Sequence, residues 1–124
     1  MLFRSELARE LYSIERSEVL ARVAEDRLRE LGYADVTVLV GDGSLGLPER
    51  APFDAIVVSA AAPGIPKALL EQLADDGRLV IPVGPAHSQE LRLVNKQQGR
   101  LVVTSLEGCR FVPLIGEQGY EKGW

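Results

Sequence analysis

Short apolar runs alternate with polar turns and amphipathic stretches along this chain of 124 residues. The runs predict buried strands at residues 11–14, 36–40, 55–59 and 79–83. Between the first two, apolar positions recur at helical spacing, which predicts a helix capped by Ser17 and ended by Gly32. Strands that alternate with helices in this way are typical of an open, mostly parallel α/β sheet.

The helix after Ser17 is expected to bury one apolar face, made by Val19, Val23, Ala24, Leu28 and Leu31. A second helix is predicted at residues 67–74. Residues 2–10 fit the end of another helix, because Phe3, Leu7 and Leu11 are spaced almost helically.

The end of the chain has a different pattern. Residues 90–95 and 101–106 alternate in part on either side of a Lys-Gln-Gln-Gly turn, which predicts an antiparallel hairpin. A last extended piece follows at residues 111–115. We expect a single domain over residues 1–124.

Composition narrows the class of protein. The net charge is −4 with no basic stripe, so a duplex nucleic-acid partner is not expected. The longest apolar run, residues 55–63, is too short to cross a bilayer, so no membrane partner is expected. The single cysteine, Cys109, excludes an internal disulfide and fits a reducing compartment, which suggests a cytoplasmic protein.

Two acidic residues follow consecutive predicted strands. Glu15 stands where a carboxylate can accept both hydroxyls of a ribose, although a solvated acid at a strand end explains it equally well. Asp42 lies between Gly41 and Gly43, where it can accept from an exocyclic amine or cap a turn. Together they favour a nucleoside site at the carboxyl edge of the sheet.

Other candidates are weaker. The small residues Ala60 and Ala61 follow the third predicted strand and leave room for a ligand, or pack a tight turn. His87 lies in a polar loop without a partner for catalysis. No Ser/His/Asp arrangement, phosphate-binding loop or metal motif is found, so the catalytic residues stay unknown and no metal is expected.

An ordered set of motifs over roughly residues 7–117 resembles the protein-L-isoaspartate O-methyltransferases. The set consists of Tyr-Ser-Ile-Glu-Arg at 12–16, Val-Gly-Asp-Gly at 40–43, Ala-Pro-Phe-Asp-Ala-Ile-Val-Val-Ser-Ala-Ala-Ala-Pro at 51–63, Ile-Pro at 65–66, Leu-Glu-Gln-Leu at 70–73, Gly-Arg-Leu-Val-Ile-Pro-Val-Gly-Pro at 77–85 and Arg-Phe-Val-Pro-Leu at 110–114.

The resemblance implies a function in protein repair. Members of the family use S-adenosylmethionine to methylate the α-carboxylate of isoaspartyl residues in damaged proteins, and the ester collapses to a succinimide that can reopen as aspartate. It also implies residue roles. Glu15 would bind the ribose, Asp42 with Gly43 the adenine, and Ala60 and Ala61 would line the cofactor cleft. Val112, Pro113 and Leu114 would flank the isoaspartyl peptide.

This sequence departs from the family at its beginning, since the first strand and the glycine-rich turn of the cofactor site are not found. The expected fold is an incomplete Rossmann-like class I methyltransferase sheet, mostly parallel, with the C-terminal antiparallel hairpin. The missing strand normally lies between the strands at residues 11–14 and 55–59. We therefore expect two open apolar edges that drive self-association, or a segment that moves inward to close the sheet.

Three interpretations remain. The first is a truncated isoaspartyl methyltransferase that is inactive by itself. The second is a non-catalytic adenosine-binding or scaffold module derived from the fold. The third, a nicotinamide dehydrogenase that uses Glu15 for its ribose, is disfavoured by the Gly-Asp-Gly and Ala-Ala-Ala-Pro motifs.

Overall fold

A computed structural model describes residues 2–5, 10–32 and 35–123. The regular structure of these residues consists of two α-helices, seven strands and two 3-10 turns, Gly43–Leu45 and Pro48–Arg50. The helices are α1 (Glu18–Glu30) and α2 (Lys67–Gln72), and the strands are β1 (Leu2–Ser5), β2 (Glu10–Glu15), β3 (Val36–Val40), β4 (Phe53–Val57), β5 (Leu73–Val83), β6 (Gln89–Gln97) and β7 (Arg100–Cys109).

The strands form a single sheet in the order β3-β2-β1-β4-β5-β6-β7. The pairs β2–β3 and β4–β5 are parallel, and the C-terminal pairs β5–β6 and β6–β7 are antiparallel. The predicted C-terminal hairpin is therefore confirmed. The fold is α/β, but the sheet is mixed and less parallel than expected, because β1 also runs antiparallel to both of its neighbours.

The prediction of a helix over residues 2–10 is wrong for the residues described. Residues 2–5 form β1 and Glu10 begins β2, whereas Leu7 lies outside the described residues. Strand β1 fills the expected gap, because Leu2 pairs with Ser13 on one side and with Val57 on the other. The physical reason is that unpaired backbone N–H and C=O groups inside a sheet cost free energy. The hydrophobic pattern of residues 2–5 is weak, and pairing with β2 and β4 therefore determines that this segment is a strand. Strand β1 thus closes the two central edges, which is the second of the two expected outcomes.

The hydrophobic core lies around β4, β5 and α2. Its fully buried side chains include Phe53, Ile56, Leu69, Leu79 and Ile81. Helix α2 ends at Gln72, two residues earlier than predicted, because Leu73 already pairs with Phe53 as the start of β5. Neither helix in the described part of the chain is long and apolar enough to cross a membrane.

Helix α1 has the predicted ends but not the predicted buried face. The Ser17 hydroxyl accepts from the Leu20 amide at 3.3 Å, and Gly32 has the positive φ of 88° expected after a helix. However, Val19 and Leu31 are 71% and 70% exposed, and the buried residue is Ala21. The helix packs on β2 and β3, and no described residue covers its opposite side.

Candidate functional site

A cavity of about 630 Å³ opens where β2 and β4 end. Both strands run antiparallel to β1, so their carboxyl ends meet at the same edge of the sheet. The first wall is formed by residues at and just after the ends of β2, β3 and β4. The second wall is formed by residues 112–115, which follow β7. The lining residues are Ile14, Glu15, Arg16, Ser17, Leu20, Gly43, Ser59, Ala60, Val112, Pro113, Leu114 and Ile115. This volume is in the range of about 300–1,000 Å³ that is common for small-molecule sites.

The cavity brings together most of the residues proposed from the sequence. Glu15, Gly43 and Ala60 lie on the wall after the strands, and Val112, Pro113 and Leu114 form the opposite wall. Asp42 and Ala61 do not line it. The roles of all eight residues toward cofactor or substrate stay predictions.

Glu15 is held by two hydrogen bonds, one to its backbone and one to its side chain. Its carbonyl accepts from the Gly41 amide at 3.0 Å, which joins the ends of β2 and β3. Its carboxylate atom Oε1 accepts from the Ser17 amide at 3.2 Å. A carboxylate has roughly four acceptor positions, so this half-buried side chain retains capacity for a ligand donor.

Both carboxylate oxygens of Asp42 already accept hydrogen bonds from other residues of the chain. Its Oδ1 accepts from the Ser44 amide at 2.9 Å and from the Ser44 hydroxyl at 2.6 Å, and its Oδ2 accepts from the Glu117 amide at 2.8 Å. Partial burial acts to raise the pKa of Asp42, but these hydrogen bonds and the charge of Arg16 together lower it below its ordinary value. The residue expected to contact adenine is thus an ionised turn cap that also reaches the C-terminal segment.

Ala61 does not line the cavity, but its backbone is hydrogen-bonded to the second wall. Its amide donates to the Val112 carbonyl, and its carbonyl accepts from the Leu114 amide, both at 2.7 Å. These bonds place Pro113 beside Ala61 in a parallel bridge. The small buried side chain of Ala61 thus lets the second wall approach the end of β4.

Two buried glutamines were missed in the sequence. Gln89 Oε1 accepts from the Phe111 amide at 2.7 Å while its Nε2 donates to the Phe111 carbonyl at 3.1 Å. Gln72 makes a similar pair with the loop after Gly43, accepting from Leu47 at 2.8 Å and donating to Leu45 at 2.9 Å. Each amide anchors one cavity wall. No sequence signal marks them, because glutamine is mostly exposed.

Other reactive side chains lie away from the cavity. His87 is exposed in the loop before β6, as expected from its polar surroundings. The pKa of the Cys109 thiol is raised, mainly by burial and to a smaller extent by the nearby Glu107 carboxylate. Across the described ranges, no three His, Cys, Asp or Glu side chains are grouped to hold a metal ion.

The sheet and its cavity define an α/β domain with a ligand-sized site at the carboxyl edge of the strands. Residues 2–119 match the family of protein-L-isoaspartate(D-aspartate) O-methyltransferases, and the chain belongs to this family. It is 54% identical over 114 residues to the protein-L-isoaspartate O-methyltransferase of Koribacter versatilis, covering 92% of this chain and 51% of that protein. For protein-L-isoaspartate O-methyltransferase 1 of Syntrophobacter fumaroxidans, identity is 50% over 117 residues, covering 94% and 55%. The chain thus spans about half the length of these curated relatives.

Solved structures agree with this assignment. A protein-L-isoaspartate O-methyltransferase superposes with a TM-score of 0.77 at 29% identity, over 87% of this chain and 35% of that chain. A Plasmodium falciparum protein described as a β-aspartate methyltransferase, crystallised with S-adenosyl-L-homocysteine, gives a TM-score of 0.73 at 25% identity, over 84% and 51%. The α/β fold is therefore similar to that of the methyltransferases of this family.

Proposed function

We propose that this chain forms the nucleoside- and peptide-facing part of a protein-L-isoaspartate O-methyltransferase site, and that its cavity binds the adenosine portion of S-adenosylmethionine. The observation that carries the proposal is the cavity at the ends of β2 and β4, which joins Glu15 and Gly43 to the Val112–Leu114 wall. Family membership and the S-adenosylhomocysteine complex of the Plasmodium relative support it.

Each wall has a distinct role in the proposal. Glu15 accepts the ribose hydroxyls with the acceptor capacity that Ser17 leaves. The Gly43 backbone lies along the adenine, with Asp42 behind it, and Ala60 with Ala61 keeps the cofactor side narrow. Val112, Pro113 and Leu114 flank the isoaspartyl peptide.

The proposed reaction of the complete site is an in-line transfer. One carboxylate oxygen of the isoaspartyl residue attacks the methyl carbon, and a carbon–oxygen bond forms as the carbon–sulfur bond breaks. S-adenosylhomocysteine leaves and no proton moves, so the step needs no acid or base. Catalysis then depends on the alignment of the nucleophile, methyl group and sulfur, worth up to about 7–11 kcal/mol in well-oriented reactions.

The direction of β1 favours a chain that binds without transferring methyl. Leu2 lies at the cavity edge of the sheet, whereas Ser5 pairs with Glu10 at the far edge. Strand β1 therefore ends on the side of the sheet away from the cavity. Among the described residues, none that lines the cavity belongs to a turn after β1, where the methionine end of the cofactor would be held. We thus propose a partial methyltransferase domain over residues 1–124, acting in the cytoplasm, that is inactive by itself.

Calorimetry with adenosine and S-adenosylhomocysteine tests the binding proposal. We expect both ligands to bind weakly with similar affinities, because the proposed contacts face the nucleoside. Glu15→Gln should weaken both about tenfold or more, since a charge-assisted hydrogen bond is lost. Glu49→Gln, an exposed acid outside the cavity, is the matched control. A strong preference for S-adenosylhomocysteine, or an unchanged affinity in Glu15→Gln, contradicts the proposed contacts.

The proposed lack of activity is tested by measuring the transfer of radiolabelled methyl groups to an isoaspartyl peptide. The control is the same peptide with a normal aspartyl residue. We expect incorporation at background for the 124-residue chain. Fusion to a family-type N-terminal segment should restore transfer to the isoaspartyl peptide. Robust transfer by the chain alone overturns the proposal. A well-folded fusion that stays inactive favours the non-catalytic adenosine-binding or scaffold module.

A further inference from the structure

We propose that Asp42 is a positioning residue that, with Ser44, clasps the two walls of the cavity together, and that its contribution to ligand binding is exerted through this clasp. The inference deepens the proposed function and rests on it. It concerns an action of Asp42 distinct from direct contact with adenine. The Asp42–Ser44 clasp is defined here as these two side chains and the backbone of residues 116–118.

The clasp begins on the wall that follows β3. Asp42 caps the 3-10 turn Gly43–Leu45 by accepting from the Ser44 amide. The Ser44 hydroxyl, which is fully buried, donates to the same carboxylate oxygen at 2.6 Å. This turn contains Gly43, which lines the cavity. The carboxylate therefore fixes the turn that presents Gly43.

The clasp ends on the opposite wall. The amide of Glu117 donates to Asp42 Oδ2 at 2.8 Å, and the amide of Gln118 donates to Ser44 Oγ at 3.0 Å. These amides follow Ile115, which lines the cavity with residues 112–114. Two hydrogen bonds from consecutive amides thus hold the end of the second wall against the first.

Residues 115–120, the C-terminal loop, make further hydrogen bonds that hold the loop in the position that the clasp requires. Gln118 Oε1 accepts from the Ala68 amide at 2.9 Å, near the start of α2. The Tyr120 hydroxyl donates to the Gly84 carbonyl at 2.9 Å, and its amide donates to the Leu114 carbonyl at 2.7 Å. The loop is folded back across the end of the sheet, with the clasp at its tip.

Gly116 allows the close approach on which the clasp depends. A Cβ atom at this position would lie 2.0 Å from Asp42 Oδ1 and 2.5 Å from Ser44 Oγ. Both distances are too short for a real Cβ atom, so in Gly116→Ala either the loop or the ends of the Asp42 and Ser44 side chains must shift. Gly116→Ala therefore breaks the clasp by a change on the far wall, and the Asp42 carboxylate is retained.

A comparison of Asp42→Asn with Gly116→Ala distinguishes a clasp from a direct contact between Asp42 and the ligand. Asp42→Asn keeps the side-chain shape but places either an amide donor or a neutral oxygen opposite the Glu117 amide. Gly116→Ala separates the loop from the carboxylate, which is still present. If Asp42 acts through the clasp, both variants lose the same interaction and their effects do not add.

The experiment measures backbone amide exchange without ligand and the affinity for S-adenosylhomocysteine by calorimetry. In Asp42→Asn and in Gly116→Ala we expect the amides of Glu117 and Gln118 to exchange about ten- to a hundredfold faster. Affinity should fall in both variants by a similar factor, and the double variant should be no weaker than the weaker single one. Gly64→Ala, at an exposed glycine with no atoms within 4 Å of the added Cβ, is the matched control.

Several results overturn the inference. Unchanged exchange in both variants shows that no clasp exists. Wild-type affinity in Gly116→Ala beside a large loss in Asp42→Asn shows that Asp42 is a direct ligand contact. Ser44→Ala, which removes the acceptor of the Gln118 amide, replaces Gly116→Ala if circular dichroism shows that the latter does not fold. If wild type binds no S-adenosylhomocysteine, the proposed function fails, and the exchange data alone decide for or against the clasp.

Discussion

The two halves of the sheet are packed very differently. Strands β4–β7 with α2 contain the fully buried apolar side chains of the described chain, among them Phe53, Leu69 and Val94. On the side of β2, β3 and α1, the best-buried side chains are Tyr12, Ile14 and Ala21, and none of them is fully inaccessible. Tyr12 and Ile14 belong to the same core cluster as Phe53. The core is thus centred in the C-terminal half, and the N-terminal half contributes its less densely buried edge.

The helices show the same contrast. Helix α2 has only six residues but places Leu69 in the core with no exposed surface. Helix α1 has thirteen residues and leaves Leu31 at its end 70% exposed. Stability should therefore follow burial and not helix length, because free energy is gained from the apolar area removed from water.

The largest expected effect is the difference between two leucine truncations. Leu69→Ala should lower the free energy of unfolding by about 2–5 kcal/mol, because it leaves a cavity in the core. Leu31→Ala should change it by less than about 0.5 kcal/mol, since that side chain is exposed. Urea denaturation of the two variants measures both. Equal losses would mean that the end of α1 is buried in solution and that the two halves do not differ.

A smaller effect concerns Asp42, which connects the halves. Its pKa is lowered in the folded state, so its ionised form stabilises the fold above the unfolded pKa of about 3.9. This contribution should disappear as the pH falls through the lower folded pKa. At pH 7 we expect Asp42→Asn to cost roughly 1.5 kcal/mol, the lower end for hydrogen bonds to charged groups, because Asp42 is half-buried.

Urea denaturation of wild type and Asp42→Asn from pH 7 down to pH 3 measures this dependence. The stability difference between the two proteins should narrow on the acidic side. A difference that stays constant over this range would show that the carboxylate charge contributes nothing to the connection.

The smallest expected effect is on the outer surface of α1. Arg22 contacts Glu18 at 3.2 Å, one turn away, and both side chains are exposed. Arg22→Ala should lower stability by about 0.3–0.5 kcal/mol, and 1 M salt should remove most of the difference by screening. A loss above about 1 kcal/mol would indicate that this surface is covered by another part of the protein.

Sequence patterns were sufficient for the elements that are defined by local signals. The apolar runs predicted β2, β3, β4 and the C-terminal part of β5, and the alternating pattern around the Lys-Gln-Gln-Gly turn predicted β6 and β7. The ends of α1 were correct because Ser17 and Gly32 act through their own side chain and backbone. The motifs at the strand ends also led to most of the cavity lining, since strands β2 and β4 bring them to one edge.

Features set by distant partners were not predictable. Nothing in Leu2–Ser5 distinguishes a strand from a helix, and its conformation is determined by the gap between β2 and β4. The carboxylate of Asp42 was assigned to a ligand, because its partner Glu117 is remote in sequence. For the same reason Gln72 and Gln89 went unnoticed, since their amides pair with backbone groups that only the fold brings near.

The position of β1 has a consequence for the order in which the chain folds. Within the described sheet, β1 is the hydrogen-bonded connection between β2–β3 and β4–β7. Its pairing with β2 is local, whereas its pairing with β4 joins Leu2 to Val57, across nearly half the chain. Contacts between residues distant in sequence form slowly, because loop closure must precede them. We therefore expect the two halves to acquire structure separately, with the docking of β1 against β4 as the late step that makes them one sheet.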